Sequence, residues 1–177
     1  SWVVYLIALV FVFLILSILY ESWKLPIAIL LSVPLAMLGA LVAISIVHLF
    51  NAEMVNDIYM QISMVMLIGL AAKNAILVVE YADNIFLGSK SISLLDAAID
   101  AARQRVRPII MTAFAFILGV MPLVFASGIY STARNIMGVA LVGGMLLATL
   151  VGIFLYPATY YLVAKIGHFE RRRETKM

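Results

Sequence analysis

Long, continuous apolar runs separated by short polar stretches dominate this chain. Five of them, at about 2–20, 25–49, 60–81, 108–126 and 135–163, are long enough to cross a membrane, since a hydrocarbon core of about 30 Å takes about 20 helical residues. The runs do not alternate apolar with polar as a half-buried strand does, and lipid offers no hydrogen-bond partner to an open sheet edge, so the pattern predicts helices. Pro26 and Pro108 stand at segment starts, where a missing backbone N–H costs nothing. Pro34, Pro122 and Pro157 lie inside segments or near their ends and predict bends.

The stretch 91–107 has a different pattern. Leu94, Leu95, Ala98, Ile99 and Ala102 share one helical face while Asp96, Asp100 and Arg103 fall elsewhere, which predicts an amphipathic helix over about 93–106 lying at the membrane surface, with a solvated linker helix as the alternative. Ser93 followed by Asp96 resembles a capping box at its start. The expected architecture is an all-α integral membrane protein of five transmembrane helices and one interfacial helix, ending in a basic tail at 164–177.

Composition agrees with that class. Of 177 residues, 66% are hydrophobic and 12% charged, and the mean hydropathy is +1.15, more apolar surface than a soluble domain of this size can bury. With zero cysteines there is neither a disulfide framework nor a thiolate metal site. The net charge of +3 does not point to nucleic acid, because the basic residues flank apolar runs. Ser1-Trp2-Val3-Val4 opens inside a hydrophobic segment without an initiator Met, as expected of a piece of something longer.

The basic residues also orient the chain. Lys24, Lys90, Arg103, Arg105, Arg107, Lys165, Arg171, Arg172, Arg173 and Lys176 collect on one side, while the loops 51–59 and 127–134 on the other side hold only Arg134. By the positive-inside rule the C-terminus is cytoplasmic and the first span begins outside. Glu53 and Gly128 are then expected on the outer side, and Ser89 and Glu174 on the cytoplasmic side.

Lys73, the one remaining cation, lies inside the third run. On a helix it sits roughly 12 Å from the Tyr81 end, farther than a lysine stem can reach by snorkelling. A lysine near the bilayer centre costs about 2.5–3.5 kcal/mol and as a rule marks an ion or proton path. Gly69 and Glu80 lie four before and seven after it, on the same face, but Glu80 is about 10 Å away along the axis. No carboxylate in the chain stands at the depth of Lys73. Either its counter-charge lies elsewhere or the amine gives up its proton, and a site alternating between these conditions is a proton relay. The alternative is a polar residue kept for helix packing.

A second polar set is Arg105 and Thr112, seven apart, with Gly119 seven further on; they share a face if the helix continues through Pro108. Thr112 can equally back-bond to its own helix, and Arg105 can serve as an interfacial anchor. Small residues at four-residue spacing, Gly144/Ala148/Gly152, Ala36/Ala40 and Gly39/Ala43, permit close helix approach in lipid. The ten Met residues read as packing. An enzyme finds no support, since His48 and His168 both fall near interfaces and neither a Ser/His/Asp nor an HExxH arrangement exists.

The stretches LIGLAAKNAILVVEYA and RVRPIIMTAFAFILGVMPLVFASG resemble the tenth and eleventh transmembrane helices of resistance-nodulation-cell-division (RND) efflux pumps of the hydrophobe/amphiphile branch. SILYESWKLPIAILLSVPLAMLGAL resembles the eighth and ninth. The likeness covers nearly the whole chain, and the Gly-Leu-x-x-Lys-Asn-Ala and Arg-Pro-Ile-x-Met-Thr cores are specific to that branch. The chain departs from the pattern in the 51–59 loop, with Glu53 and Asp57. The resemblance implies the last five of twelve spans of a proton-driven inner-membrane drug exporter, without its large periplasmic domains. It implies a relay in which Lys73 works with two aspartates on a fourth helix absent from this chain, completed by Arg105 and Thr112, with Asn74 beside the lysine. It also implies a proton as coupling ion and no other cofactor. The implied partners are the rest of the same pump, a homotrimeric assembly, a periplasmic membrane-fusion adaptor, an outer-membrane channel and the bilayer. Pumps of the same superfamily for metal ions, lipids or protein export, and a non-transporting anchor, are the alternatives. The scattered Met residues and the Lys73–Asn74 pair argue against metal export.

Overall fold

A computed structural model describes residues 2–21, 23–50, 58–88 and 92–174, with side chains as far as Ile166. Among these residues the chain is all α: α1 (Trp2–Tyr20), α2 (Lys24–Leu30), α3 (Val33–Phe50), α4 (Ile58–Gly88), α5 (Leu94–Val124), α6 (Ser131–Leu150) and α7 (Gly152–Glu174). Five helical stretches are long and apolar enough to cross a membrane: α1, α2 with α3, α4, α5 and α6. Residues 51–57, Ser89, and the side chains of the tail from Gly167 onward, including the three adjacent arginines, lie outside the described residues.

Two of the apolar runs are interrupted. The second breaks between α2 and α3, where Ser32 bonds back to the Ile29 carbonyl through both its backbone N–H (3.1 Å) and its hydroxyl (2.6 Å), just before Pro34, which cannot donate to the preceding turn. The run 135–163 breaks at Val151, between α6 and α7. There the Tyr156 hydroxyl donates to the Ala148 carbonyl at 3.0 Å, and its ring lies where a Cβ on Gly152 would sit, at 2.6 Å.

The stretch expected as a separate interfacial helix is instead the first half of α5, which continues through Pro108 to Val124. One lost hydrogen bond does not stop it, because the turns on either side pack against α4, α6 and α7. Its start is capped as the sequence suggests: Ser93 Oγ accepts from the Asp96 backbone N–H at 3.2 Å and donates to the Asp96 carboxylate at 2.7 Å. The buried face is shifted from the expected one. Ala97, Ala98 and Ala101 are fully buried, whereas Leu95 and Ile99 stay exposed. Alanines let α5 lie close to α4, so the small side chains go inward and the large ones face outward.

The small-residue stripes meet at the α3–α6 contact. A Cβ on Gly143 would overlap Ala43 Cβ, one on Gly39 would fall 2.7 Å from the Gly143 carbonyl oxygen, and one on Gly144 3.0 Å from that of Ala36. The two backbones thus touch over two helical turns. α6 also packs on α4 and α5, and α2 packs on α7. α1 lies at the margin: Leu16 is its one buried residue, and most of its large apolar side chains remain exposed, as suits a lipid-facing helix.

The turn between α5 and α6 is tied by side chains. Arg134 donates to the carbonyls of Ser127 (3.4 Å) and Ile129 (3.2 Å). The Asn135 amide faces the carbonyls of Leu123, Val124 and Ala126, which its NH2 group satisfies. Gly128 takes φ +100° there, a backbone state that favours glycine.

Candidate functional site

α4 divides the candidate residues between two faces. Lys73 and Gly69 lie on an exposed face, and a Cβ added to Gly69 would meet nothing within 4 Å. Among the described residues Lys73 has no ion-pair partner. Asn74, one residue on and therefore about 100° around the helix, is 1% exposed. Its amide points to Met145 Sδ of α6 at 4.0 Å and also meets the Tyr156 hydroxyl of α7. Asn74 thus joins three helices inside the bundle, while its neighbour projects from the bundle.

α5 carries the other two. Arg105 is half-buried, with its guanidinium carbon 4.4 Å from the centre of the Tyr81 ring on α4, and its Nε is buried without a hydrogen-bond partner. The Tyr81 hydroxyl donates to the Gln104 side chain. Thr112 is exposed, and its hydroxyl donates to the Ile109 carbonyl of its own helix at 3.0 Å. That is the back-bonding arrangement; the hydroxyl oxygen remains able to accept.

The register between α4 and α5 relates these positions in depth. Tyr81 meets Arg105, and Leu70 packs with the cluster of Ala113 and Ile117, so the two helices run antiparallel. Seven residues from Arg105, about 10 Å of rise, bring Thr112 to the depth of Lys73. Gly119, next along that side of α5, is likewise open, with nothing within 4 Å of an added Cβ. The structure therefore leaves Lys73 and Thr112 at one level on uncovered faces, sets Arg105 two turns nearer the α4–α5 connection, and turns Asn74 inward.

Sequence reasoning missed Tyr81, Gln104 and Tyr156. Tyr81 reads as an interfacial aromatic, and its signal was its place eight residues after Lys73.

Glu80 lies on the exposed side of α4, where its carboxylate accepts from the Tyr20 hydroxyl at 3.3 Å. Asp83 accepts from the Tyr160 hydroxyl at 3.3 Å. These pairs fasten α1 and α7 to the same end of α4. No group of three or more His, Cys, Asp or Glu suited to a metal ion occurs among the described residues.

Comparison with known proteins bears on most of the chain. The sequence pattern of the AcrB/AcrD/AcrF family matches residues 1–164. The toluene efflux pump membrane transporter TtgB of Pseudomonas putida is 48% identical over 160 residues, which is 90% of this chain and 15% of the relative. The multidrug resistance protein MdtF of Escherichia coli (strain K12) is 45% identical over 159 residues, and the multidrug export protein AcrF of the same strain 43% identical over 159. The chain spans about 15% of the length of each of these curated relatives.

Proposed function

This chain belongs to the AcrB/AcrD/AcrF family of RND transporters, and from that premise we propose that it is the C-terminal membrane part of a proton-driven antiporter exporting drugs and other amphiphilic compounds across the bacterial inner membrane, carrying half of the proton relay. The family is one of transporters, not enzymes. The relatives' names speak of toluene, multidrug resistance and multidrug export, which supports amphiphiles as the substrate class.

One observation carries the reading: a lysine at mid-bilayer depth stands on a face of α4 that this chain leaves uncovered, beside a glycine with open space in front of it. A lone ammonium at such depth costs about 2.5–3.5 kcal/mol, and such residues as a rule pair within the bundle. The uncovered face therefore calls for another membrane helix bearing a counter-charge, and the aspartate-bearing fourth helix of the missing part of the pump fits that need. Proton binding at that carboxylate would exchange an ion pair for a lone lysine and bias the bundle between two arrangements. Arg105 and Thr112 extend the path along α5. Asn74, packed against Met145 and Tyr156, fixes the rotation of α4 that presents the lysine. No cofactor is needed beyond the proton. The whole protein would sit in the inner membrane with its C-terminus cytoplasmic, as a homotrimer working with a periplasmic membrane-fusion adaptor and an outer-membrane channel.

Lys73→Met in the full-length pump tests the proposal. It keeps the side-chain length and removes a charge that costs about 2.5–3.5 kcal/mol to insert, so protein levels should hold while export of a fluorescent dye collapses. Wild-type efflux by the variant at matched expression would return Lys73 to a packing role.

A further inference from the structure

The two relay helices touch at one polar contact that the sequence pattern does not anticipate. An arginine at a membrane interface ordinarily extends toward headgroups. Arg105 instead turns back onto α4, its guanidinium carbon 4.4 Å from the centre of the Tyr81 ring. Its Nε is buried and makes no hydrogen bond, so the neighbour that the guanidinium meets on α4 is the Tyr81 ring. The ring is itself fixed, because the Tyr81 hydroxyl donates to Gln104, the residue before the arginine. Ring, amide and guanidinium form a closed clasp of two residues on α5 and one on α4.

We propose that Tyr81 is a positioning residue for Arg105: it shelves the guanidinium on its ring and so ties the arginine's place on α5 to the position of the lysine-bearing helix. This rests on the reading of Arg105 as a member of the relay. Tyr81 and Lys73 share one unbroken helix, eight residues apart. A shift of α4 against α5 then carries the shelf with it, and the arginine is re-aimed in step with the lysine. A desolvated cation over an aromatic face is held by electrostatic attraction to the ring quadrupole. Phenylalanine keeps that attraction, and an aliphatic side chain of similar bulk loses it.

The test uses the full-length pump in proteoliposomes, with substrate-coupled proton flux measured against substrate concentration for Tyr81→Leu, Tyr81→Met, Tyr81→Phe and Arg105→Gln. Tyr81→Leu is expected to lower kcat about fivefold, a factor within the range of a partly desolvated cation–π contact. Its KM and thermal midpoint should stay at wild-type values, and Tyr81→Phe should recover most of the turnover. Tyr81→Met serves as a second ring-free variant should leucine disturb folding. Wild-type turnover in both ring-free variants, or equal impairment of Tyr81→Phe and Tyr81→Leu, would overturn the ring-shelf assignment. Arg105→Gln separates the two levels of the argument. If it is inactive while the ring-free variants pump normally, only the positioning role falls; if it pumps normally, the relay reading of Arg105 falls with it.

Discussion

Lys73 and Asn74 illustrate what a sequence does and does not disclose about single residues. A charge inside an apolar run is legible at once, because lipid makes it costly. That the asparagine next to it turns inward, onto Met145 and Tyr156, is not, since the sequence does not say which arc of a helix that is apolar on all sides meets protein. Tyr81 was hidden for a similar reason: aromatics at membrane boundaries are common, and only the fold brings Arg105 over its ring. The bond of the Thr112 hydroxyl to the Ile109 carbonyl sets its relay role against plain back-bonding. Thr112→Val keeps the shape and removes the hydroxyl; Thr112→Ser retains it. If the oxygen accepts from a relay water, valine should reduce dye export several-fold and serine should restore most of it. Equal export by the two variants would leave the back-bond to Ile109 as the whole function of the hydroxyl.

At the scale of elements, the number of membrane crossings was legible and their continuity was not. Hydropathy responds to composition over a turn or two, so it passes over the breaks at Leu31–Ser32 and Val151 and inserts one at Pro108 that the fold does not make. Packing decides these cases: the first half of α5 is held by buried Ala97, Ala98 and Ala101 and carries the helix through the proline. The small-residue stripes, in contrast, were readable in the sequence, and they give a prediction. Gly143→Val adds a branched side chain whose first carbon would already overlap Ala43 Cβ and lie 3.0 Å from the Gly39 carbonyl oxygen. α3 and α6 must move apart, at about 1–3 kcal/mol for overpacking. Thermal unfolding of the full-length protein in detergent should show a lowered midpoint, with Gly88→Ala, at an open site, left near wild type. An unshifted Gly143→Val would mean that the helices are not in contact there.

For the molecule as a whole, orientation rests on charge. The ten-to-one distribution of basic residues between the two sides predicts that Gly128, in the α5–α6 turn, faces the periplasm, and that Asp100, exposed on the first half of α5, faces the cytoplasm. The natural chain holds no cysteine, so Gly128→Cys and Asp100→Cys can be probed singly with an impermeant thiol reagent. Labelling in intact cells should reach position 128 alone, and position 100 only after permeabilisation. The reverse pattern would invert the topology, and with it the direction of the proposed proton path through Lys73.

The unbroken course of α5 has a mechanical consequence. At about 1.5 Å per residue its 31 residues make a rod roughly 46 Å long, and its midpoint falls at Ile109, between Arg105 and Thr112. Tilting such a rod by about 5° around that fulcrum moves Arg105 and Thr112 in opposite directions by only about half an ångström, yet swings each tip by about 2 Å. Moved as one rod through Pro108, α5 would gear a sub-ångström event at its centre up about fourfold, to Asp96 at one tip and Leu123 at the other.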